Sequence, residues 1–444
     1  MRDIVVVGCG PAGLWAAISA RATNPSAKVT ILTNEKYLTY SRCGLPYVIK
    51  GDIESFENLI ITSINKLKNM KINVHTESKV TDVIGNEVLY ERNGHSGKIK
   101  FDSLIIATGA KPSVPRIPGA SLNGVYTLRT IDDGRKIMNQ CENAKKAIII
   151  GAGAIGLEVA EALVKRGIDV SVIEIMPRVL PSILDNDMAS ILHNIIKRNN
   201  INLMLNSRVE EIIGNLKVEK VIVNGKDYGC DFIVMATGVK PNTELARKIG
   251  VKIGSLGGIE VNEYMQTSVE GIYAAGDCVE TKHLVTGKPF LPLLGTVAYR
   301  QGKVAGINAA GGKAIFRGCL GSVVLKVFNV EVGSTGLTVE RAKNENFNIV
   351  IGKVKWVTRA EYYPDHKDII VKLIFNADDG KIIGGQIIGG EGVAQRINLI
   401  AAAIQCGMNA EDIASIDTCY SPPVADTIEP VTRAAEIALK KLKR

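Results

Sequence analysis

The chain has 444 residues, 46% hydrophobic and 22% charged, with 44 glycines, 5% aromatic residues and a formal net charge of +9. That composition is ordinary for a globular protein of two or three domains and excludes a disordered or low-complexity chain. No run approaches the roughly 20 apolar residues of a membrane span, the eight cysteines are unpatterned, and the lysines are spread along the chain, so no membrane, disulfide framework, metal site or nucleic-acid partner is expected.

Met1-Arg2-Asp3 leads at once into an apolar strand, from which we expect no secretory leader, a cytoplasmic location and reduced thiols. Ile4-Val5-Val6-Val7 reads as a strand buried on both faces of a parallel sheet. Gly8-Cys9-Gly10-Pro11-Ala12-Gly13 follows directly, then a helical pattern to about Ala22 and a second strand from Lys28 to Thr33. Glycines at this spacing allow a tight turn, close approach of the backbone to a pyrophosphate, and close helix–strand packing. Thr33 holds the place where an acidic residue usually binds a ribose hydroxyl, and Glu35 lies two residues on.

Tyr40-Ser41-Arg42-Cys43-Gly44-Leu45-Pro46-Tyr47 carries one cysteine with no second cysteine nearby. With a helix starting at about Gly44, Arg42 and the helix N-terminus are both expected to lower the Cys43 thiol pKa. Farther on, Ser103 to Ile106 is a short apolar strand leading into Ala107-Thr108-Gly109-Ala110-Lys111-Pro112.

The pattern then repeats. Ala147 to Ile150 is a strand, Gly151-Ala152-Gly153-Ala154-Ile155-Gly156 a second phosphate turn, Leu157 to Arg166 a helix, and Asp169 to Ile173 a strand ending in Glu174. Ala236-Thr237-Gly238-Val239-Lys240-Pro241 closes this unit as Ala107 to Pro112 closed the first. Glu174 can accept hydrogen bonds from a 2′-hydroxyl and favours NADH, while Arg178 keeps NADPH open as a phosphate ligand. Thr267 to Asp277 reads as a strand delivering an acid at its C-terminal end.

Taken together, Gly8–Gly13, Ala107–Gly109, Gly151–Glu174, Ala236–Gly238 and Ala274–Asp277 resemble the FAD- and NAD(P)H-dependent pyridine nucleotide–disulfide oxidoreductases over essentially the whole chain. The resemblance implies an α/β fold: two Rossmann-like dinucleotide-binding domains, for FAD and NAD(P)H, plus a C-terminal α+β dimerisation domain. The expected division is 1–113 with 249–316 for FAD, 114–248 for NAD(P)H, and 317–444 for the homodimer contact. It implies FAD contacts from Gly8, Gly10, Pro11, Ala12, Gly13, Glu35, Arg42, Val80, Ala107, Thr108, Gly109, Gly276, Asp277 and Ala298. For the nicotinamide nucleotide it implies Gly151, Gly153, Ile155, Gly156, Glu158, Glu174, Ala236, Thr237 and Gly238, with Glu158 near the nicotinamide.

Within the family, the single Cys43 is similar to the branch of coenzyme A-disulfide reductases, polysulfide reductases, NADH oxidases and NADH peroxidases. Tyr362-Tyr363-Pro364 and Cys419-Tyr420-Ser421-Pro422-Pro423 resemble segments that approach the partner subunit's active site, making Tyr420, then Tyr362 or Tyr363, the expected proton donors. Pro11 stands where the oxidases and peroxidases carry a histidine. Trp15, Ser19 and Ala22, with Arg21 adjacent, stand at coenzyme A positions, and neither Trp15 nor Ala22 suits that ligand. The expected reaction is NAD(P)H-driven reduction of a disulfide, polysulfide or sulfur substrate through a mixed disulfide or persulfide on Cys43. The alternatives are an NADH oxidase passing through a Cys43 sulfenic acid with O2, and an electron-transfer subunit whose basic surface meets an acidic ferredoxin or rubredoxin.

Overall fold

The structure, a computed structural model, describes residues 2–443; Met1, from which the leader expectation starts, and Arg444 lie outside the described residues. Two five-stranded parallel sheets repeat one design. The first runs in the order Ile272–Ala274, Ser103–Ile106, Asp3–Val7, Lys28–Leu32, Ile72–His75. The second runs Ile201–Met204, Asp169–Ile173, Lys146–Ile150, Phe232–Met235, Val125–Thr127. Their central strands are β-branched and buried because helices cover one face and a three-stranded antiparallel sheet the other; Ile4 and Val6 are fully buried, as are Ile149 and Val234. A three-stranded antiparallel sheet accompanies each unit.

In the first unit the Pro11–Thr23 helix packs against the Gly295–Ala309 helix through small residues. A Cβ at Gly302 would lie 2.2 Å from the Ala12 carbonyl oxygen and one at Gly306 2.1 Å from that of Ala16. Only glycine permits this approach, which carries the N-terminus of the second helix to the edge of the first sheet's nucleotide turn.

Two local expectations change. The second-unit helix begins at Ala154, three residues before Leu157, because extended Gly153 serves as its N-cap. The stretch from Thr267 to Asp277 is a strand only over Ile272–Ala274. Gly271, at φ +75°, turns the chain so that the Ile272 amide bonds back to Val269.

The Ala110–Pro112 and Val239–Pro241 segments pair antiparallel, tying the two units at their crossovers. The remainder of the chain forms a five-stranded antiparallel sheet, in the order Val323–Val327, Val330–Gly336, Ile382–Gly389, Asp368–Asn376, Ile349–Val357, covered by the Val393–Cys406 and Pro430–Leu442 helices. Among the described residues no helix is long and apolar enough to cross a membrane.

Candidate active site

The two glycine turns have the same geometry. Gly8 and Gly151 both sit at φ +107°, a region closed to most side chains. A Cβ at Gly13 would lie 1.9 Å from the Gly8 carbonyl oxygen, and one at Gly156 2.0 Å from that of Gly151. The middle glycines differ: a Cβ at Gly10 or Gly153 would meet nothing within 4 Å. The first and third glycines thus serve packing. The middle one leaves a cradle at a helix N-terminus with no side-chain cap, where free backbone amides suit a pyrophosphate. Both turns fit a dinucleotide on this ground.

Beside the first turn lies a pocket lined by Cys9, Gly10, Thr33, Glu35, Tyr37, Leu38, Thr39, Tyr40 and Arg42. Glu35 reaches it, but its carboxylate is already engaged: Arg42 Nη2 is 2.5 Å from one oxygen, and the Tyr40 hydroxyl donates to the other at 2.8 Å. Arg42 also donates to the Tyr40 hydroxyl and to the Arg129 carbonyl, and its guanidinium lies over the Tyr40 ring.

The Arg42 contacts overturn the expected thiol electrostatics. Arg42 faces away from Cys43, so its charge is spent on Glu35. Cys43 sits in a 3₁₀ turn over Arg42–Gly44, just before the Leu45–Lys50 helix whose N-cap is Gly44. It is open to solvent on one side, while protein atoms crowd its sulfur on the others. That burial, followed by the Glu158 carboxylate, pushes the thiol pKa up, not down. The cation that opposes the rise is Arg129, whose guanidinium bonds Asp277 Oδ2 at 3.0 Å. Arg129 lies in the second unit, between the Val125–Thr127 strand and the Ile131–Cys141 helix, and nothing in its local sequence pointed to it.

The first sheet delivers Asp277 through Gly276, which sits at φ +91° with its amide held by Gln301 Oε1. Ala298 is buried on the neighbouring helix and Val80 packs against the same core. Ala107-Thr108-Gly109 and Ala236-Thr237-Gly238 are bound to each other's ribbons: Thr108 Oγ1 donates to the Asn242 carbonyl at 2.6 Å and Thr237 Oγ1 to that of Ser113 at 2.5 Å. Pro11 and Ala12 open the first helix, as Ile155 and Gly156 sit in the first turn of the second.

At the second turn Glu174 is buried, and its two oxygens accept from the amides of Ala152 and Met176 at 2.7 and 2.9 Å. Each oxygen keeps a lone pair for a further donor. Arg178, by contrast, is buried and donates to the Leu184 and Pro181 carbonyls, Asn186 Oδ1 and the Glu340 carboxylate. Glu158, in the Ala154–Lys165 helix, accepts from the Tyr47 hydroxyl at 3.2 Å. Burial raises its carboxyl pKa to about 7, with the Tyr47 bond opposing and Glu161 adding to the rise.

Tyr362 and Tyr420 are exposed, and their hydroxyls lie 2.6 Å apart. Tyr363 stands beside them, its amide bonded to Ala360, and Cys419 is an exposed free thiol. Among the described residues neither tyrosine hydroxyl is bonded to the Cys43 segment of the same chain.

Residues 2–302 match the family model described as pyridine nucleotide-disulphide oxidoreductase, and residues 323–431 match that family's dimerisation domain. An NADH oxidase of Methanocaldococcus jannaschii is 47% identical over 99% of both chains. An NAD(P)H sulfur oxidoreductase (CoA-dependent) of Pyrococcus furiosus is 36% identical over 98% of this chain and 99% of that one. The solved NAD-dependent persulfide reductase from A. fulgidus superposes with a TM-score of 0.97 at 40% identity, covering 99% of this chain and 84% of that one. With paired nucleotide turns, a lone thiol between them and a dimerisation sheet, this chain belongs to the pyridine nucleotide-disulphide oxidoreductases.

Proposed function

We propose that the chain is an FAD-dependent NADH oxidoreductase that reduces sulfur–sulfur bonds through Cys43. The observation that carries this reading is a free, solvent-open thiol set between the two glycine-turn units, with Arg129–Asp277 on one side and Tyr47–Glu158 on the other. Bound at the first turn, FAD supplies the two-electron relay between NADH and sulfur.

Cys43, as thiolate, attacks one sulfur of R–S–S–R′, forming Cys43–S–S–R and expelling R′–S⁻, which takes up a proton. Two electrons and one proton then return the Cys43 thiolate and release R–SH. Arg129 stabilises the thiolate through space, which offsets part of the cost of burial. In the homodimer the exposed Tyr362–Tyr420 pair serves the partner subunit's Cys43, with Tyr420 the proton donor to the leaving sulfur. Glu174 takes the ribose hydroxyl of NADH with its remaining lone pairs, and the engagement of Arg178 elsewhere disfavours a 2′-phosphate.

The 47% identity to a protein named NADH oxidase supports O2 as a second acceptor. Anaerobic turnover with coenzyme A disulfide or polysulfide, set against aerobic turnover, separates the two readings when each is repeated in Cys43→Ser. The sulfur reactions fall to background in the variant, while slow NADH oxidation by O2 persists; NADPH gives the lower kcat/KM. Undiminished sulfur reduction by Cys43→Ser would remove the proposed nucleophile.

A further inference from the structure

We propose that Tyr47 and Glu158 are positioning residues for Cys43: a phenol and a carboxyl joined across two units set how readily the thiol gives up its proton. The inference rests on the reading of Cys43 as the nucleophile.

The geometry begins with the short helix after Cys43. Tyr47 follows Cys43 by four residues, which places both on one side of the chain as it enters the Leu45–Lys50 helix. That helix packs on the Ala154–Lys165 helix of the other unit, and the Tyr47 hydroxyl crosses the boundary to Glu158 Oε1 at 3.2 Å. No cation is bonded to Glu158 among the described residues. The nearest candidate, Lys50, one turn on from Tyr47, is held by Glu161 at 2.6 Å and Asp52 at 2.8 Å. Lys165 is held by Asp52. A half-buried carboxyl is thus left with a neutral phenol as its partner, where an ion pair would have kept it charged at any physiological pH.

The groups acting on this pair come from every surrounding element. Tyr47 and Lys50 belong to the short helix, Glu161 to the helix of Glu158 itself, Arg129 to the loop after the Val125–Thr127 strand, and Asp277 to the end of the first sheet; Arg42 is turned toward Glu35. Glu158 is the foremost charged group opposing ionisation of Cys43, and Tyr47 in turn feels Cys43.

The consequence is a coupled titration. With the Glu158 carboxyl near pKa 7, its charge is absent below neutrality and present above it. A thiolate at Cys43 and a carboxylate at Glu158 disfavour each other, so forming one raises the proton affinity of the other. The Tyr47 hydroxyl donates to the carboxylate and so sets the balance. Without it Glu158 keeps its proton to higher pH, and the thiolate forms more readily near neutrality. No electron moves in this step; the two groups divide one negative charge.

The test is the rate of iodoacetamide alkylation of Cys43 against pH in the FAD-loaded, NADH-reduced enzyme, read by mass spectrometry on the Cys43 peptide because Cys406 and Cys419 are also exposed. Glu158→Gln shifts the midpoint to lower pH by roughly one unit, the scale of one nearby like charge. Tyr47→Phe shifts it the same way by less, and the double variant goes no further than Glu158→Gln. A midpoint unchanged in Glu158→Gln overturns the proposal. If that variant does not fold, an unchanged profile in Tyr47→Phe overturns it. Loss of sulfur reduction in Cys43→Ser alongside an unchanged profile would leave the nucleophile standing and remove only the Tyr47–Glu158 role.

Discussion

A single side chain at this site is defined by what it is bonded to. Arg42 follows its neighbour Cys43 in every local argument, yet its guanidinium is spent on Glu35, Tyr40 and the Arg129 carbonyl. Tyr420 has the opposite situation. Its hydroxyl is exposed and, among the described residues, bonded to Tyr362 alone, a phenol that can hold it in place and pass it a proton. A proton lost from Tyr420 can be replaced through that bond, which suits it to the donor role. Tyr420→Phe is therefore expected to lower kcat for disulfide reduction by about a hundredfold, the low end for loss of a general acid, with KM little changed. Tyr362→Phe should cost less. Steady-state kinetics with a disulfide substrate decide it, and a normal kcat in Tyr420→Phe would take the donor role away.

Among the elements, the glycine turns separate packing from binding. Gly13 is bounded by the Gly8 carbonyl, and a methyl there would overlap it at 1.9 Å, forcing the helix off the strand at a cost of about 1–3 kcal/mol or more. Gly10 has open space in front of it. Gly13→Ala is therefore expected to reduce folded yield, whereas Gly10→Ala folds normally and binds FAD more weakly because its methyl stands in the pyrophosphate cradle. Thermal melting of the apoprotein and titration with FAD separate the two effects. Equal melting temperatures for both variants would contradict this division of labour. Paired ribbons with Thr108 and Thr237 bonded across them play a different part, coupling the two units where the chain crosses between them.

At the scale of the molecule, a buried polar cluster fastens the second unit to the C-terminal sheet. Lys372, on the Asp368–Asn376 strand, has a side chain only 4% exposed and pairs with Asp185 at 2.9 Å and Asp187 at 2.7 Å. Gln386 donates to Asp185 Oδ2 at 2.7 Å and accepts from the Asp185 amide, so the cluster satisfies itself. Removing the cation leaves Asp187 with Lys353, but leaves the buried Asp185 carboxylate with hydrogen bonds from Gln386 and the Val339 amide and no opposite charge, a loss of about 3 kcal/mol, the low end for breaking a buried pair. Lys372→Met should accordingly lower the urea midpoint. An unchanged midpoint would mean that this cluster does not fasten the units. The Glu161 carboxylate adds a second tie, accepting from the Phe328 amide of the same sheet.

Much of this architecture is legible along the chain because its determinants are local. Glycine spacing after an apolar strand dictates a turn and a helix start wherever it occurs, and its repetition exposes the paired parallel sheets. The lone Cys43 and the position of Gly44 at the helix start are equally local. What surrounds Cys43 is not. Glu158 and Tyr47 are 111 residues apart, Arg129 and Asp277 are 148 apart, and Tyr362 and Tyr420 are 58 apart. Proton affinity depends on burial and on charges a few ångströms away, whichever part of the chain supplies them. The sequence by itself therefore determined two nucleotide turns and one lone thiol between them, whereas only the tertiary structure decided which charges that thiol feels.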